Sequence, residues 1–494
     1  MSATVLKDGT LLTFDDSTQA VRVLRRASVL IIDDCIAAIA ESFDELHTPP
    51  DADIINVEGK IVSPGFVNTH VHMWQSVYRS IGPDIVLAQY FDWLSQMSAN
   101  ATNAFTPDDI YISCLEGYLE GLNAGVTTYL EHAYNNWSRD VVEPGFDAAV
   151  DSGARIWWCY DVAPRDDFTT EELWQLLGRL TSKATQSHVK LGLSLDGIAG
   201  SCLTGSEEEL THLRQMINQL KLEALTMHHM GGPWPQGNTA PTLLCARGLQ
   251  HMGIPIVLSH APFLTDEDMH ALRQHDLFIS ITPESECHYG HGQKTGHMIS
   301  DQASLGVDTN WIFSGDILSQ SRLWLQTVRS RNYQKTLDSG ILPNKNPMAV
   351  ERAFLIATRQ GGRALRRSDI GVLQVGAKAD LVVFNGDSPN MLGWRNPVAA
   401  VMLHAHPGDI EHVLVDGRFR KRDFQLVNAT LSWSEIRTRF LEASRRIQPQ
   451  VEAPTPLPDK LWGITDMADV DIAFDILVWD PWIVMSSVKT KPTI

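Results

Sequence analysis

Two histidines one residue apart, His70 and His72, interrupt the apolar stretch Pro64-Gly65-Phe66-Val67-Asn68-Thr69-His70-Val71-His72-Met73-Trp74-Gln75. In an extended strand, residues i and i+2 point to one face with Cα atoms about 6–7 Å apart. Imidazoles so placed can close on a single ion through bonds of roughly 2.1 Å. By itself a His-x-His pair reads as two core histidines with satisfied hydrogen bonds. Three residues downstream change that balance, because His228, His260 and Asp308 each terminate a run that would otherwise be apolar core. Three imidazoles and a carboxylate suit Zn²⁺ or Fe²⁺ better than Mg²⁺ or Ca²⁺, which prefer oxygen ligands.

The elements that must bring these residues together are legible as a strand-loop-helix rhythm that begins at Ile61. The first strand carries the histidine pair. Further strands are predicted at Val126–Glu131, Arg155–Tyr160, Lys190–Leu195, Ala224–His228, Pro255–His260, Leu277–Ile281 and Ser304–Asp308. Thr106 as N-cap, Pro107 in the first turn and Asp108-Asp109 against the dipole start a helix that stops near Gly125. Eight β/α units predict a closed parallel (β/α)₈ TIM-like barrel over residues 61–369, an α/β fold. Its seventh and eighth strands are joined by a short connection with no clear helical pattern. In such a barrel chemistry collects at the C-terminal ends of the strands, which is where all five residues fall.

Residues 1–60 instead alternate short β-rich runs (Ala20–Leu24, Ser28–Ile32, Ile36–Ile39) with turn residues. The same style returns after the helical segment Met348–Leu365, at Gly376–Phe384 and Ile410–Gly417. Residues 1–60 and 370–430 are therefore expected to meet in one small β-sandwich domain formed by both chain ends. Residues 431–494 read as a C-terminal helical segment and a packed tail. Its most apolar stretch, Ile472–Met485, is too broken by Asp475, Asp480 and Pro481 to cross a membrane.

Composition excludes several classes. With 44% hydrophobic and 20% charged residues the chain is an ordinary globular one, and its net charge of −19 argues against a nucleic-acid partner. Nothing approaches the roughly 20 apolar residues of a membrane helix, and Met1–Asp8 lacks the apolar core of a signal peptide. The six cysteines follow no metal or redox spacing and fit reduced thiols, so a cytoplasmic protein is expected. Cys287, in the loop after the seventh strand, is given no nucleophilic role.

Taken together, Pro64–His72, Gly125-Val126-Thr127-Thr128, Ser259-His260, Leu305-Gly306-Val307-Asp308 and Gly376-Ala377-Lys378-Ala379-Asp380-Leu381-Val382-Val383 resemble the amidohydrolase superfamily. The branch is that of cytosine deaminase, guanine deaminase and the triazine hydrolases, and the resemblance runs over roughly residues 1–425. It implies that His70, His72, His228 and Asp308 hold one divalent ion, zinc before iron. It also implies that His260 stays unligated and hydrogen-bonds the attacking water or the substrate oxygen. A divalent ion lowers the pKa of its water from 15.7 to about 7. Asp308 would accept that water's proton and pass it to a leaving nitrogen, while His260 stabilises the oxyanion. The expected activity is hydrolysis of a C–N bond in a small cyclic or aromatic compound, by an enzyme that forms a homo-dimer or tetramer.

One departure stands out. In deaminases of this branch a glutamate follows the strand-five histidine by three positions; here that position is Gly231. Glu284, Glu286 and His288, after the seventh strand, are candidates to restore an acid. Gln75 and His132 are candidate substrate contacts, and Trp74, Trp234 and Trp311 lie close enough to the presumed ligands to wall a pocket for a flat substrate. The missing glutamate leaves open a metal-dependent lyase, decarboxylase or cyclase, and a catalytically silent binding protein that keeps only the fold is a third reading.

Overall fold

The computed structural model describes residues 2–163, 168–196, 206–234, 240–427, 430–451, 453–454 and 456–470. Strands β1 (Ala3–Asp15), β2 (Ala20–Ile32) and β3 (Cys35–Ala40) form an antiparallel meander, and β4 (Asp53–Asn56) and β5 (Ile61–Pro64) run parallel to β1. Then come β6 (Phe66–Val71), β7 (Val126–Ala133), β8 (Arg155–Asp161), β9 (Val189–Ser194), β10 (Leu225–Gly231), β11 (Ile256–Phe263), β12 (Phe278–Ile281) and β13 (Ala303–Leu305). The chain closes with β14 (Leu381–Phe384), β15 (Ile410–Val415), β16 (Arg418–Arg422) and β17 (Gln425–Leu426).

Strand β5 is where the two chain ends meet. It pairs parallel to β1 on one side and antiparallel to β14 on the other, Leu381 opposite Pro64 and Phe384 opposite Ile61. The expected sandwich is thus built from one continuous sheet, nine strands among the described residues, in the order β17-β16-β15-β14-β5-β1-β2-β3 with β4 on β1. That sheet curls back on itself: Ile36 and Ala379 donate to the carbonyls of Ala377 and Asp34, and Leu6, Leu11, Val29, Ile36, Val62, Val383 and Leu414 fill the enclosed core. The boundary expected at 61 moves with it, because Ile61–Pro64 ladder into this sheet and the barrel begins at Phe66.

Strands β6 to β13 are parallel and neighbour one another in chain order. Closure between β13 and β6 depends on Gly306, where a Cβ would lie 2.8 Å from the His70 Cβ and carbonyl oxygen. Beyond it, Val307 and Asp308 donate their N–H groups to the His70 carbonyl and His72 donates to the Asp308 carbonyl. At the opposite end Val67, Trp157, Val257 and Phe278, early in their strands, pack with Leu130, Leu365 and Ile370 into an apolar plug. Arg155, first residue of β8, is buried against Asp380 and Asp416 of the small sheet, a paired charge that joins the two layers. This leaves the polar residues to the mouth formed by the strand C-termini.

The helix Pro107–Asn123 is capped as its sequence requires, with Thr106 and Asp109 exchanging capping bonds. From it Ser113 accepts the Val77 N–H and donates to the Trp74 carbonyl, fixing the turn that follows the histidine pair. Between β12 and β13 the link contains the short helix Pro283–His288 and two single 3₁₀ turns. Residues 431–456 lie within the first of the chain's two compact units. Helix Trp433–Ile447 pairs Arg439 and Arg446 with Asp108 and Asp109, and Gln448 donates to the Val77 carbonyl, so this segment belongs to the unit Met1–Pro456. Leu457–Ile494 forms a second unit, whose described part is the hairpin of β18 (Lys460–Leu461) and β19 (Thr465–Asp466). The tail stretch Ile472–Met485 lies outside the described residues. Among the described residues no helix is long and apolar enough to cross a membrane.

Candidate metal centre

Ligand-type atoms of His70, His72, His228 and Asp308 all lie within 4.8 Å of one another. Asp308 Oδ1 stands 3.2 Å from His70 Nε2 and 3.4 Å from His72 Nε2. Donors about 2.1 Å from one tetrahedral ion are separated by about 3.4 Å, a spacing these two contacts fit. The other ring nitrogen of each histidine is already engaged. His70 Nδ1 bonds Ser259 Oγ at 2.7 Å, His72 Nδ1–H donates to the His132 carbonyl at 2.8 Å, and His228 Nδ1–H donates to Asp196 Oδ2 at 2.5 Å. The carbonyl and the carboxylate set the tautomers of His72 and His228 with Nε2 free to ligate, and the Ser259 hydroxyl engages His70 Nδ1 and leaves its Nε2 toward Asp308.

Local backbone explains how strand ends deliver these groups. Register shifts on either side of Val67–Asn68 break the two-residue repeat of β6, and Asn68 Oδ1 accepts the N–H groups of His70 and Val307 in place of ladder bonds. Asp308, His260 and Ala261 have φ of 72°, 70° and 55°, left-handed values that non-glycine residues adopt at a cost of order 1–3 kcal/mol each. Burial and the neighbouring imidazoles hold His70 well below the ordinary histidine range, and burial takes His72 to about 4, so both are neutral bases able to ligate. Burial works against the Asp308 carboxylate, but His260, His72 and His291 outweigh it and keep the group ionised; its Oδ2 also accepts from Ser285.

His132, Asp196 and His228 form a second cluster at ligand spacing. Here the distances are those of direct hydrogen bonds, 2.5 Å from Asp196 to His228 and 3.0 Å to His132. Asp196 Oδ1 also accepts the His228 N–H at 2.7 Å, and Tyr134 donates its hydroxyl to Oδ2. A carboxylate so filled is a support for His228, not a second cation site. Burial opposes charge on His228, yet Asp196 overcomes it and raises the imidazole's basicity. His132, wedged behind the centre with its ring 5.3 Å from that of His72 and 4.5 Å from that of His228, is a buried buttress; the expectation that it touches substrate is corrected.

His260 stacks on His228 at 5.3 Å and stands edge-on to His70 at 5.1 Å. Its Nδ1 bonds Thr282 Oγ1 at 2.7 Å, which leaves Nε2 for the mouth. Behind Thr282 lies Glu286, whose Oε1 accepts the Thr282 N–H at 2.9 Å and which burial pushes up to about 8. Gln75 donates to Tyr90 Oη at 2.7 Å. Trp234 donates its Nε1–H to the His291 carbonyl at 3.2 Å.

Several expectations do not hold. Trp74 turns into an aromatic cluster with Tyr78, Phe105 and Trp137, and Trp311 packs on Tyr78, so neither walls the mouth. Glu284 is tied to Gln320 on helix Ile317–Asp338 through both its N–H and its carboxylate. His288 packs against Tyr289 and Phe313, half-buried, and Cys287 is exposed. Residues not anticipated from the sequence are Asp196, Tyr134, Ser285, Tyr90, Tyr289 and His291; of these only His291 carried a signal, as the last histidine of the run Glu284–His291.

Comparison with known proteins gives the geometry a context. The chain matches the model of the amidohydrolase family over residues 61–420. A 5′-deoxyadenosine deaminase of Methanothermobacter thermautotrophicus is 24% identical over 421 residues, 82% of this chain and 91% of that protein. A 5-methylthioadenosine/S-adenosylhomocysteine deaminase of Acetivibrio thermocellus is 22% identical, over 90% of this chain and 99% of that one. Among solved structures, the atrazine chlorohydrolase of Arthrobacter aurescens complexed with zinc superimposes with a TM-score of 0.73 at 19% identity, covering 89% of this chain and all of that one. An adenosine deaminase from Xanthomonas campestris with bound zinc gives 0.72 at 15%, covering 91% and 99%.

Proposed function

The chain belongs to the amidohydrolase family and is a hydrolase of carbon–nitrogen bonds, and on that premise we propose that it uses one zinc ion, held by His70, His72, His228 and Asp308, to displace an amine from a flat nitrogen heterocycle. The observation that carries the reading is the convergence of four donor atoms with three Nδ1 positions already committed elsewhere. Deaminase relatives favour hydrolysis over the lyase, decarboxylase or cyclase reading raised by Gly231. Relatives acting on adenosine derivatives and structural neighbours acting on triazines share an electron-poor ring with an exchangeable substituent, the substrate class proposed here.

When bound, a divalent ion supplies a water acidic enough to attack at neutral pH. Asp308 takes that water's proton and returns it to the departing nitrogen, and the Ser285 hydroxyl on Oδ2 keeps the carboxylate oriented meanwhile. His260, steadied by Thr282, presents Nε2 to the oxygen on which charge develops. Gln75 and Tyr90, bonded to each other, with Tyr289 beside Tyr90 and Trp234 on the His291 carbonyl, are the proposed surroundings of the ring. Free thiols at the five described cysteines support a cytoplasmic setting. Zinc-loaded protein should release ammonia from adenosine, 5′-methylthioadenosine or S-adenosylhomocysteine, with ¹⁸O from labelled water entering the product. Absence of ¹⁸O from a converted substrate would refute hydrolysis.

A further inference from the structure

Gly231 is not a vacant place for the glutamate found in related deaminases. Its φ is +72°, and a Cβ there would lie 2.5 Å from the Phe263 carbonyl oxygen, so the end of β10 admits no side chain in this backbone. Nor does either nearby acid replace it, since Glu284 is bound to Gln320 and Glu286 sits behind Thr282. Yet a ring nitrogen next to the attacked carbon gains negative charge as water adds, and a polar partner for it lowers the barrier.

We infer that His291 is that partner, a catalytic residue whose imidazole N–H donates to a ring nitrogen of the bound heterocycle. His291 is 2% exposed, and among the described residues neither of its ring nitrogens has a hydrogen-bond partner. A buried donor left unpaired costs about 1–3 kcal/mol, which a ligand would recover. Its ring stands edge-on to His260 with centroids 4.6 Å apart, next to the group that faces the reacting oxygen. Tyr289 lies nearly parallel to it, 17° at 5.9 Å, and the Trp234 indole N–H holds its carbonyl, so the imidazole is aimed before substrate arrives. Burial keeps the ring near a pKa of about 4. As a neutral imidazole it donates one ring N–H to an acceptor on the substrate.

The inference rests on the hydrolase reading, and the test separates the two. Zinc-loaded wild type, H291Q and H291M are compared for zinc content, for kcat and KM on adenosine, 5′-methylthioadenosine and S-adenosylhomocysteine, and for calorimetric binding of inosine. Both variants should keep zinc. H291M should lose about 100-fold in kcat/KM, chiefly in kcat, with weaker product binding, while H291Q, which keeps an N–H donor, should lose about tenfold. H291M within threefold of wild type, or equal losses in the two variants, would overturn the role of His291 alone. A zinc-loaded wild type that converts none of the three would overturn the proposed function, and this inference with it.

Discussion

Replacing Asp196 by asparagine tests the support beneath the candidate ligands. The carboxylate accepts from His228 Nδ1 at 2.5 Å, from the His228 N–H at 2.7 Å and from His132 Nε2 at 3.0 Å, and Tyr134 completes the set. Asparagine keeps the shape but loses the charge and presents an NH₂ where an acceptor is needed, so His228 is both less basic and free to turn. Partners of this kind are worth 10–100-fold in metal affinity. That range corresponds to about 1.4–2.7 kcal/mol. Competition between metal-free protein and a chromophoric chelator for zinc at pH 7.5 should show D196N in that range, Y134F less affected, and wild type binding one equivalent. D196N within twofold of wild type, with its Tm unchanged, would refute the reasoning. Two equivalents on the wild type would mean that Asp196 itself holds an ion.

Other expectations follow from single features. G231A should destabilise the fold by about 1–2 kcal/mol because of its left-handed backbone, and G231E by more with no gain in turnover; an active G231E of wild-type Tm would contradict the geometry. H260Q should retain zinc while kcat falls about 10²–10³-fold, and a loss confined to KM would remove His260 from the chemistry. Burial raises Glu286 from 4.5 to about 8, so its contribution to stability is complete below about pH 4.5 and is lost as pH rises through 8. The Tm of E286Q relative to wild type should accordingly climb between those values, and parallel Tm curves would count against a neutral Glu286.

The strands of the barrel could be read in the sequence as apolar runs in a strand-loop-helix rhythm, and five of its polar residues, His70, His72, His228, His260 and Asp308, stood out because they end such runs; which four would hold an ion came from the family resemblance. What escaped was set by turns. After His72 the chain enters a 3₁₀ turn, Met73–Tyr78, which carries Trp74 away from the centre and toward helix Pro107–Asn123. In the short helix Pro283–His288, successive side chains diverge by about 100°. Glu284 goes to Gln320, Ser285 to Asp308 and Glu286 back to Thr282, and no sequence spacing tells which one faces the ion. His291, past the end of that helix, reaches the mouth through a loop whose path depends on Gly290 and Gly292, with φ of 77° and 91°. Asp196 was invisible for a different reason, since a lone aspartate after a strand carries no periodic signal.

The central claim is that His70, His72, His228 and Asp308 grip one cation. X-ray absorption at the zinc edge, on protein loaded with one equivalent, addresses it directly when wild type and H228A are measured together. The expected spectrum has nitrogen and oxygen neighbours at about 2.0–2.1 Å with multiple scattering from three imidazoles, falling to two in H228A as affinity drops. A wild-type spectrum dominated by sulfur at about 2.3 Å, or one unchanged in H228A, would contradict it.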